Sequence, residues 1–277
     1  MKTLQTTGNG ININVNDITI CYDDFGEGIT PVIFIHGFPF DKSSWQPQME
    51  FLKKTHRVIA YDIRGFGKST AGKEKQSISL FADDLVKFMD ALEINKAIVC
   101  GLSMGGYILL NAVNRYPEKF KAIVLSDTQC IADTPEVNEK RSQTISHIMA
   151  SGLKDFAEGF IKNIFCQETL DTKKEIVEKI KNIILSTSPV TVTGTLSALA
   201  QRWEMCSSLQ EISVPTLILC GKEDKVTPVA QSEFLLQNIT HATLHSIDSA
   251  GHMSNLEQPD EFNQYLDGFI KSCTNSQ

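Results

Sequence analysis

Cys100-Gly101-Leu102-Ser103-Met104-Gly105-Gly106 sets one serine between two glycines. A short β-branched apolar run over residues 97–100 precedes it, and a helical pattern over residues 107–116, closed by Pro117, follows. A serine at such a sharp strand-to-helix turn is held in a strained backbone conformation that pushes its hydroxyl out beyond the sheet. Gly101 and Gly105 suit the turn because a Cβ at either place would collide with the neighbouring strand or helix. Gly-x-Ser-x-Gly alone recurs by chance in ordinary turns; the strand before it and the helix after it make this one read as a nucleophile elbow.

Outward from the elbow, the chain reads as an α/β fold. Alternation at Ile11, Ile13 and Val15, then at Ile18, Ile20 and Tyr22 across Asn16-Asp17, predicts an N-terminal antiparallel hairpin. Short apolar runs follow at 32–35, 57–61, 97–100, 122–125, 216–220 and 243–247, with helical patterns between most of them. That alternation implies a mostly parallel sheet with helices on both faces. The clearest helices fall at 79–92, with Ser79 as N-cap, and at 104–116, 228–237 and 259–270. Between residues 130 and 207 the strand runs stop and four helical patterns replace them. Thr134-Pro135 opens one, Thr172 to Glu175 has the form of a capping box, and Pro189 opens the last, ending near Trp203. Residues 1–129 and 208–277 thus form two parts of one core, and 130–207 form a helical cap. Ligands of open α/β sheets sit beyond the carboxyl ends of the strands, so an excursion leaving that edge covers them as a lid.

Composition narrows the function classes. The 277 residues are 42% hydrophobic and 21% charged, as in an ordinary globular protein, and no run approaches the roughly 18 apolar residues of a membrane span. A net charge of -7 argues against nucleic-acid or anionic-membrane partners, which need a concentrated excess of Lys and Arg. Lys173, Lys174, Lys179 and Lys181 are interleaved with Glu175 and Glu178, the pattern of a solvated helix face. Seven cysteines are an odd number without close pairing, and Cys100 and Cys220 fall in strand runs, so all are expected to be reduced and structural. Residues 1–6 lack the apolar core of a secretion signal, and a cytoplasmic location is expected. An exposed cap face could support a homodimer.

A serine hydroxyl is a poor nucleophile at neutral pH, so Ser103 needs a base and a third group to orient it. Of six histidines, His252 follows the last strand in the small-residue loop Ser249-Ala250-Gly251-His252-Met253, the place that the chain order serine, acid, histidine requires. Asp224, one strand earlier in Gly221-Lys222-Glu223-Asp224, is the expected acid. Asp127, also at a strand end, is the alternative, and neighbouring Glu223 allows a register error of one. The N–H of Met104, at a helix N-terminus, and that of Phe38, in His36-Gly37-Phe38-Pro39-Phe40, are the expected donors to an oxyanion. Phe40 and Trp203 are expected to line an apolar substrate pocket. The histidines show neither His-Glu-x-x-His nor a cluster with cysteine, so neither metal nor cofactor is implied.

Five motifs together resemble the α/β-hydrolase superfamily over residues 31–270: His36-Gly37-Phe38-Pro39, Asp62-x-Arg64-Gly65-x-Gly67-x-Ser69, the Ser103 elbow, Gly221-x-x-Asp224 and Gly251-His252. Asp62, Arg64 and Gly67 in this pattern are expected to lock a loop. Dehalogenases and epoxide hydrolases of the superfamily carry aspartate where Ser103 stands, which sets them aside. The Phe-Pro after His-Gly and the Ser-Met-Gly-Gly-Tyr elbow are most similar to the carboxylesterase and 3-oxoadipate enol-lactonase group. The resemblance implies a hydrolase of small carboxylic esters or lactones working through an acyl-enzyme. It leaves open a cofactor-free perhydrolase or haloperoxidase activity, C–C bond hydrolysis, and a ligand-binding receptor of the same fold.

Overall fold

The computed structural model describes residues 7–274, so the N-terminal stretch 1–6 discussed above lies outside the described residues. The hairpin is there: β1 (Gly8–Val15) and β2 (Ile18–Phe25) pair antiparallel, and Asn16 in the turn takes a φ of 53°. From β3 (Val32–Ile35) onward strands and helices alternate: α1 (Gln46–Leu52), β4 (Val58–Tyr61), α2 (Ile78–Ala91), β5 (Ala97–Leu102), α3 (Met104–Arg115) and β6 (Phe120–Ser126). Five helices then intervene: α4 (Pro135–Ser151), α5 (Lys154–Ile164), α6 (Gln167–Thr172), α7 (Lys174–Ser186) and α8 (Pro189–Ala200). The core resumes with β7 (Thr216–Gly221), α9 (Val229–Asn238), β8 (Ala242–Ile247), α10 (Ser254–Glu257) and α11 (Pro259–Thr274).

The eight strands lie in the order β1-β2-β4-β3-β5-β6-β7-β8, and every pairing beyond β2–β4 is parallel. Alternate residues of each central strand feed opposite cores, as the two-residue period of a strand dictates. Ile33, Ile35 and Val99 join Phe81, Leu85 and Ile108 on the face covered by α2 and α3. Val32, Phe34, Ile98 and Cys100 join Trp45, Met49, Phe262 and Leu266 on the face covered by α1 and α11. The chain moves from β3 outward to β4 and then back past β3 to β5, so the order of winding reverses between β3 and β5. Ligands of such sheets gather outside that reversal point. Ser103 stands directly after β5.

Three local expectations change. Helix α2 starts one residue before Ser79, and Ser77 is its cap, accepting from the Leu80 N–H at 3.1 Å. Thr172 caps nothing: it ends α6, and its hydroxyl donates back to the Glu168 carbonyl at 2.7 Å. The cap of α6 is Cys166, whose thiol accepts from the Thr169 N–H. The short α6, only 6 residues, is why four helical patterns became five helices. Thr134-Pro135 opens α4 as expected.

The cysteines need a larger correction. Cys130 and Cys206 form a disulfide across 76 residues of sequence. Cys130 lies where the chain leaves β6, and Cys206 lies where it returns toward β7, so sequence distance hid a pair that the fold brings together. The bridge is reinforced by Met205 N–H donating to the Cys130 carbonyl at 2.8 Å, and by Asp133 accepting from both Arg202 and Arg141. Cys21, Cys100, Cys166, Cys220 and Cys273 are free thiols. Among the described residues no single helix is long and apolar enough to cross a membrane.

Candidate active site

The elbow after β5 has the predicted strain: Ser103 takes φ 52° and ψ -113°, a region that a side chain rarely occupies unless its surroundings enforce it. The enforcement is visible in its neighbours. A Cβ on Gly101 would lie 2.4 Å from the Gly105 carbonyl oxygen, and one on Gly105 would lie 2.4 Å from the Ile35 carbonyl oxygen. Only glycine lets α3 start this close to β3 and β5.

Strands β7 and β8 deliver the other two groups. His252 Nε2 lies 2.8 Å from Ser103 Oγ, and His252 Nδ1 lies 2.7 Å from Asp224 Oδ2. This arrangement makes Nδ1–H the donor to the carboxylate and leaves Nε2 to accept from the serine hydroxyl. Asp224 is itself fixed: Oδ1 accepts from the Val226 and Thr227 N–H groups at 2.7 and 3.0 Å, and Oδ2 from the Thr227 hydroxyl at 2.7 Å. Ser103, Asp224 and His252 are all buried, with 8%, 5% and 2% of their surface exposed.

Burial sets the electrostatics of the pair. Desolvation alone would raise the Asp224 carboxyl, but the His252 charge, its hydrogen bond and the Thr227 hydrogen bonds outweigh it and hold the carboxyl below its ordinary value. Desolvation likewise disfavours a charged His252, yet Asp224, with Asp127 and Glu257 adding to it, raises the imidazole above its ordinary value. The imidazole is thereby prepared to receive a proton.

The loop after β3 lies against the nucleophile. A Cβ on Gly37 would come within 3.3 Å of Ser103 Cβ, so this loop, which continues into Phe38, packs closely against the serine. His36 is fully buried and serves this loop. Its Nδ1–H donates to the Gly37 carbonyl at 2.8 Å and its Nε2 accepts from the Ile63 N–H at 3.0 Å. Burial lowers its pKa, so the ring stays neutral. Met104 opens α3, whose first N–H groups have no partner inside the helix. The loop after β4 is held by buried charge: Asp62 accepts from Lys42 Nζ at 3.0 Å and from the Lys68 N–H at 2.9 Å. Arg64 forks onto Asp84 at 2.7 and 2.8 Å and reaches Asp17 of the hairpin at 2.7 Å.

The two residues expected to line an apolar substrate pocket sit in different surroundings. Phe40 is fully buried among the core side chains of the α1 face, where the turn closed by the Phe40 N–H to Gly37 carbonyl bond directs it inward. Trp203 is 81% exposed, because the adjacent Arg202 guanidinium is drawn inward over the Tyr107 ring and onto Asp133. It borders a surface cavity of about 230 Å³ whose lining includes Tyr107, Gln129 and Arg202 but not Ser103, Phe38 or His252. The Phe38 ring meets Phe66 at 6.3 Å and two aromatic side chains of α5. Phe156 and Phe160, one helical turn apart, stand 6.2 and 6.1 Å from the Phe38 ring, and Phe160 stands 6.2 Å from Phe40. Their spacing of four along an amphipathic helix was the available signal, but nothing in it told which face met the site.

Asp127 does not bond His252. Its carboxylate is spent elsewhere, on the Gly221 N–H at 2.9 Å and on the Ser126 and Ser254 hydroxyls at 2.8 and 2.6 Å. With Asp224 at the imidazole, the elbow, the order of the three loops and the sheet are all in hand, and the pattern describing the alpha/beta hydrolase fold matches residues 30–259. The chain belongs to the alpha/beta hydrolase fold family. This alpha/beta hydrolase is 30% identical over 260 residues to 3-oxoadipate enol-lactonase 2 of Acinetobacter baylyi, covering 94% of this chain and 96% of the relative. Its structure superposes on a thermophilic esterase from Thermogutta terrifontis with a TM-score of 0.91 at 31% identity, covering 95% of this chain and 98% of that one. The enol-lactonase from Burkholderia xenovorans follows at a TM-score of 0.88 and 26% identity, covering 94% of this chain and 100% of that one.

Proposed function

We propose that this alpha/beta hydrolase cleaves small carboxylic esters or lactones through a covalent acyl-enzyme. The observation that carries the proposal is the unbroken hydrogen-bonded line from Ser103 Oγ through His252 to Asp224, at 2.8 and 2.7 Å. Kinship with an esterase and with enol-lactonases supports the same substrate class.

In the first step Ser103 Oγ attacks the acyl carbon while its proton passes to His252 Nε2. The charge that forms on the carbonyl oxygen is received by the Phe38 and Met104 N–H groups, a contribution of about 3 to 4 kcal/mol for such a donor. His252 then gives its proton to the departing alkoxide, which leaves as the alcohol or, from a lactone, stays tethered to the acyl group. Water, deprotonated by the same imidazole, attacks the ester on Ser103 and regenerates the hydroxyl. Asp224 keeps the imidazole in the required tautomer throughout. Residues 130–207 act as the lid, with Phe156 and Phe160 supplying apolar contact over the oxyanion loop.

A panel of short-chain aryl esters and five- and six-membered lactones tests the reading, with Ser103→Ala as the blank. Rapid multiple turnover by the native protein and none by the variant is expected. Stoichiometric binding without turnover would favour a receptor. Peracid formation from a short carboxylic acid and hydrogen peroxide, in the absence of ester or lactone hydrolysis, would favour a perhydrolase.

A further inference from the structure

The sheet places one short segment, Ser126-Asp127-Thr128, in contact with all three loops that carry the reacting side chains. The Ser126 carbonyl accepts from the Ser103 N–H at 2.9 Å, and the Thr128 hydroxyl donates to the Ser103 carbonyl at 2.8 Å, so the elbow is gripped on both sides. Between them, Asp127 reaches the other two loops. Oδ1 accepts from the N–H of Gly221, where the Asp224 loop begins, and Oδ2 accepts from the hydroxyl of Ser254, two residues after His252. Asp127 is fully buried and sits at φ 45°, a strained position for a residue with a side chain. A buried carboxylate at the end of a hydrophobic strand carries a large desolvation cost unless hydrogen bonds offset it, and here three donors converge on it. Such a costly group would be an idle feature if it only filled space.

We infer that Asp127 is a positioning residue for the hydrolytic centre, fixing the acid loop and the histidine loop against the nucleophile elbow and adding a second carboxyl group near the His252–Asp224 pair. It touches neither substrate nor the reacting atoms. The groups facing it are the Cys100 and Cys220 thiols of the flanking strands, Asp224, and His252, with Glu257 acting on His252 from the far side. Burial raises both thiols, so they stay neutral, and the charged neighbours that matter are Asp224 and His252. Burial first, and then the Asp224 charge, raise the Asp127 carboxyl far above the usual carboxylate range. Conversely, the ionised form of Asp127, present as pH rises through about 7, adds to the stabilisation of the His252 imidazolium. Two consequences separate this role from mere packing: geometry should govern kcat, and charge should govern the protonation of His252.

Asn at position 127 keeps an oxygen for the Gly221 N–H and lets the two serine hydroxyls turn to accept, so it retains the geometry and removes the charge. Ala removes both. The experiment measures kcat and KM on an activated short-chain ester, thermal unfolding, and the titration of the His252 ring nitrogens by NMR, for native protein, Asp127→Asn, Asp127→Ala and Ser254→Ala. The His252 signals are assigned by their loss in His252→Gln. Asp127→Ala is expected to lower kcat on the order of ten- to a hundredfold, the scale of hydrogen bonds made to a charged group, with KM little changed. Asp127→Asn should recover most of that rate, while in both variants the His252 midpoint moves to lower pH. Ser254→Ala, which keeps the carboxyl but removes a donor that favours its charged form, should lower kcat several-fold with a smaller movement of the same sign. If Asp127→Ala does not fold, Asp127→Asn and Ser254→Ala carry the test. A His252 midpoint unmoved in Asp127→Asn, or a folded Asp127→Ala with native kcat, would overturn the inference. The rate readouts rest on the hydrolase reading; the NMR titration does not, so an enzyme inactive on every ester tested would sink that reading and still leave the Asp127–His252 coupling to be measured.

Discussion

At the scale of single residues, the proposed site rests on two buried groups whose partners outweigh what burial does to each. Asp224 stays charged because donors surround it, and that charge raises the imidazole of His252 above its ordinary 6.5. Only neutral His252 can take the serine proton, so activity should fall as pH drops through this titration, and the midpoint of the acid limb of kcat/KM should lie above 6.5. A profile flat down to pH about 4 would contradict His252 as the base, since a free imidazole titrates near 6.5. Asp224→Asn preserves shape but favours the wrong tautomer, and should reduce kcat on the order of 10⁴-fold, by the loss seen for this change in serine proteases. If Asp127→Asn proves the more damaging of the two in the same assay, the acid has been misassigned.

At the scale of elements, the decisive contacts are those between the first turns of α5 and the loop after β3. Phe156 and Phe160 are 5.3 Å apart and meet the Phe38 ring edge-on or tilted, so on the proposed reading they stand as apolar cover beside one of the two amides that receive the oxyanion. Phe160→Ala should change the ranking of acyl chain lengths, improving longer chains relative to acetyl, while leaving the pH profile in place. A uniform loss across the series would mean that the ring only supports the fold. The elbow, the N-terminal hairpin and the mostly parallel sheet were legible in the sequence, as was the meeting of the loops that carry Ser103, Asp224 and His252, because each depends on local chemistry: Ser103 on flanking glycines, His252 and Asp224 on the loops that end consecutive strands. The sequence could not reveal Phe156 and Phe160, whose role depends on how a helix docks, nor the burial of Phe40, which follows from the turn at Gly37. Trp203 is left exposed at a surface cavity for a related reason. Its neighbour Arg202, not its own hydrophobicity, decides which way the chain faces there.

At the scale of the whole molecule, helices α4–α8 hang from two strands of chain that the Cys130–Cys206 bridge fastens together. Closing a 76-residue loop removes freedom from the unfolded chain, so Cys130→Ser with Cys206→Ser should cost stability, up to about 4 kcal/mol on the chain-entropy account, read as a lower denaturation midpoint. An unchanged midpoint under non-reducing conditions would show that the Arg202–Asp133–Arg141 network holds the stem alone. The bridge also bears on where the protein works, because disulfides persist mainly in oxidising compartments. The cytoplasmic location was expected from the lack of an apolar signal core in residues 1–6, and the bridge lends it no support. On the proposed reading, the molecule's architecture serves one event, the transfer of an acyl group to a single strained serine. The most direct measurement mixes the protein with an aryl ester, quenches within the first turnover, and maps the acylated peptide by mass spectrometry. The acyl group should be found on Ser103, at the same amount for esters that share an acyl group and differ in alcohol. Turnover with no acylated peptide, or an adduct on another residue that persists in Ser103→Ala, would contradict the account.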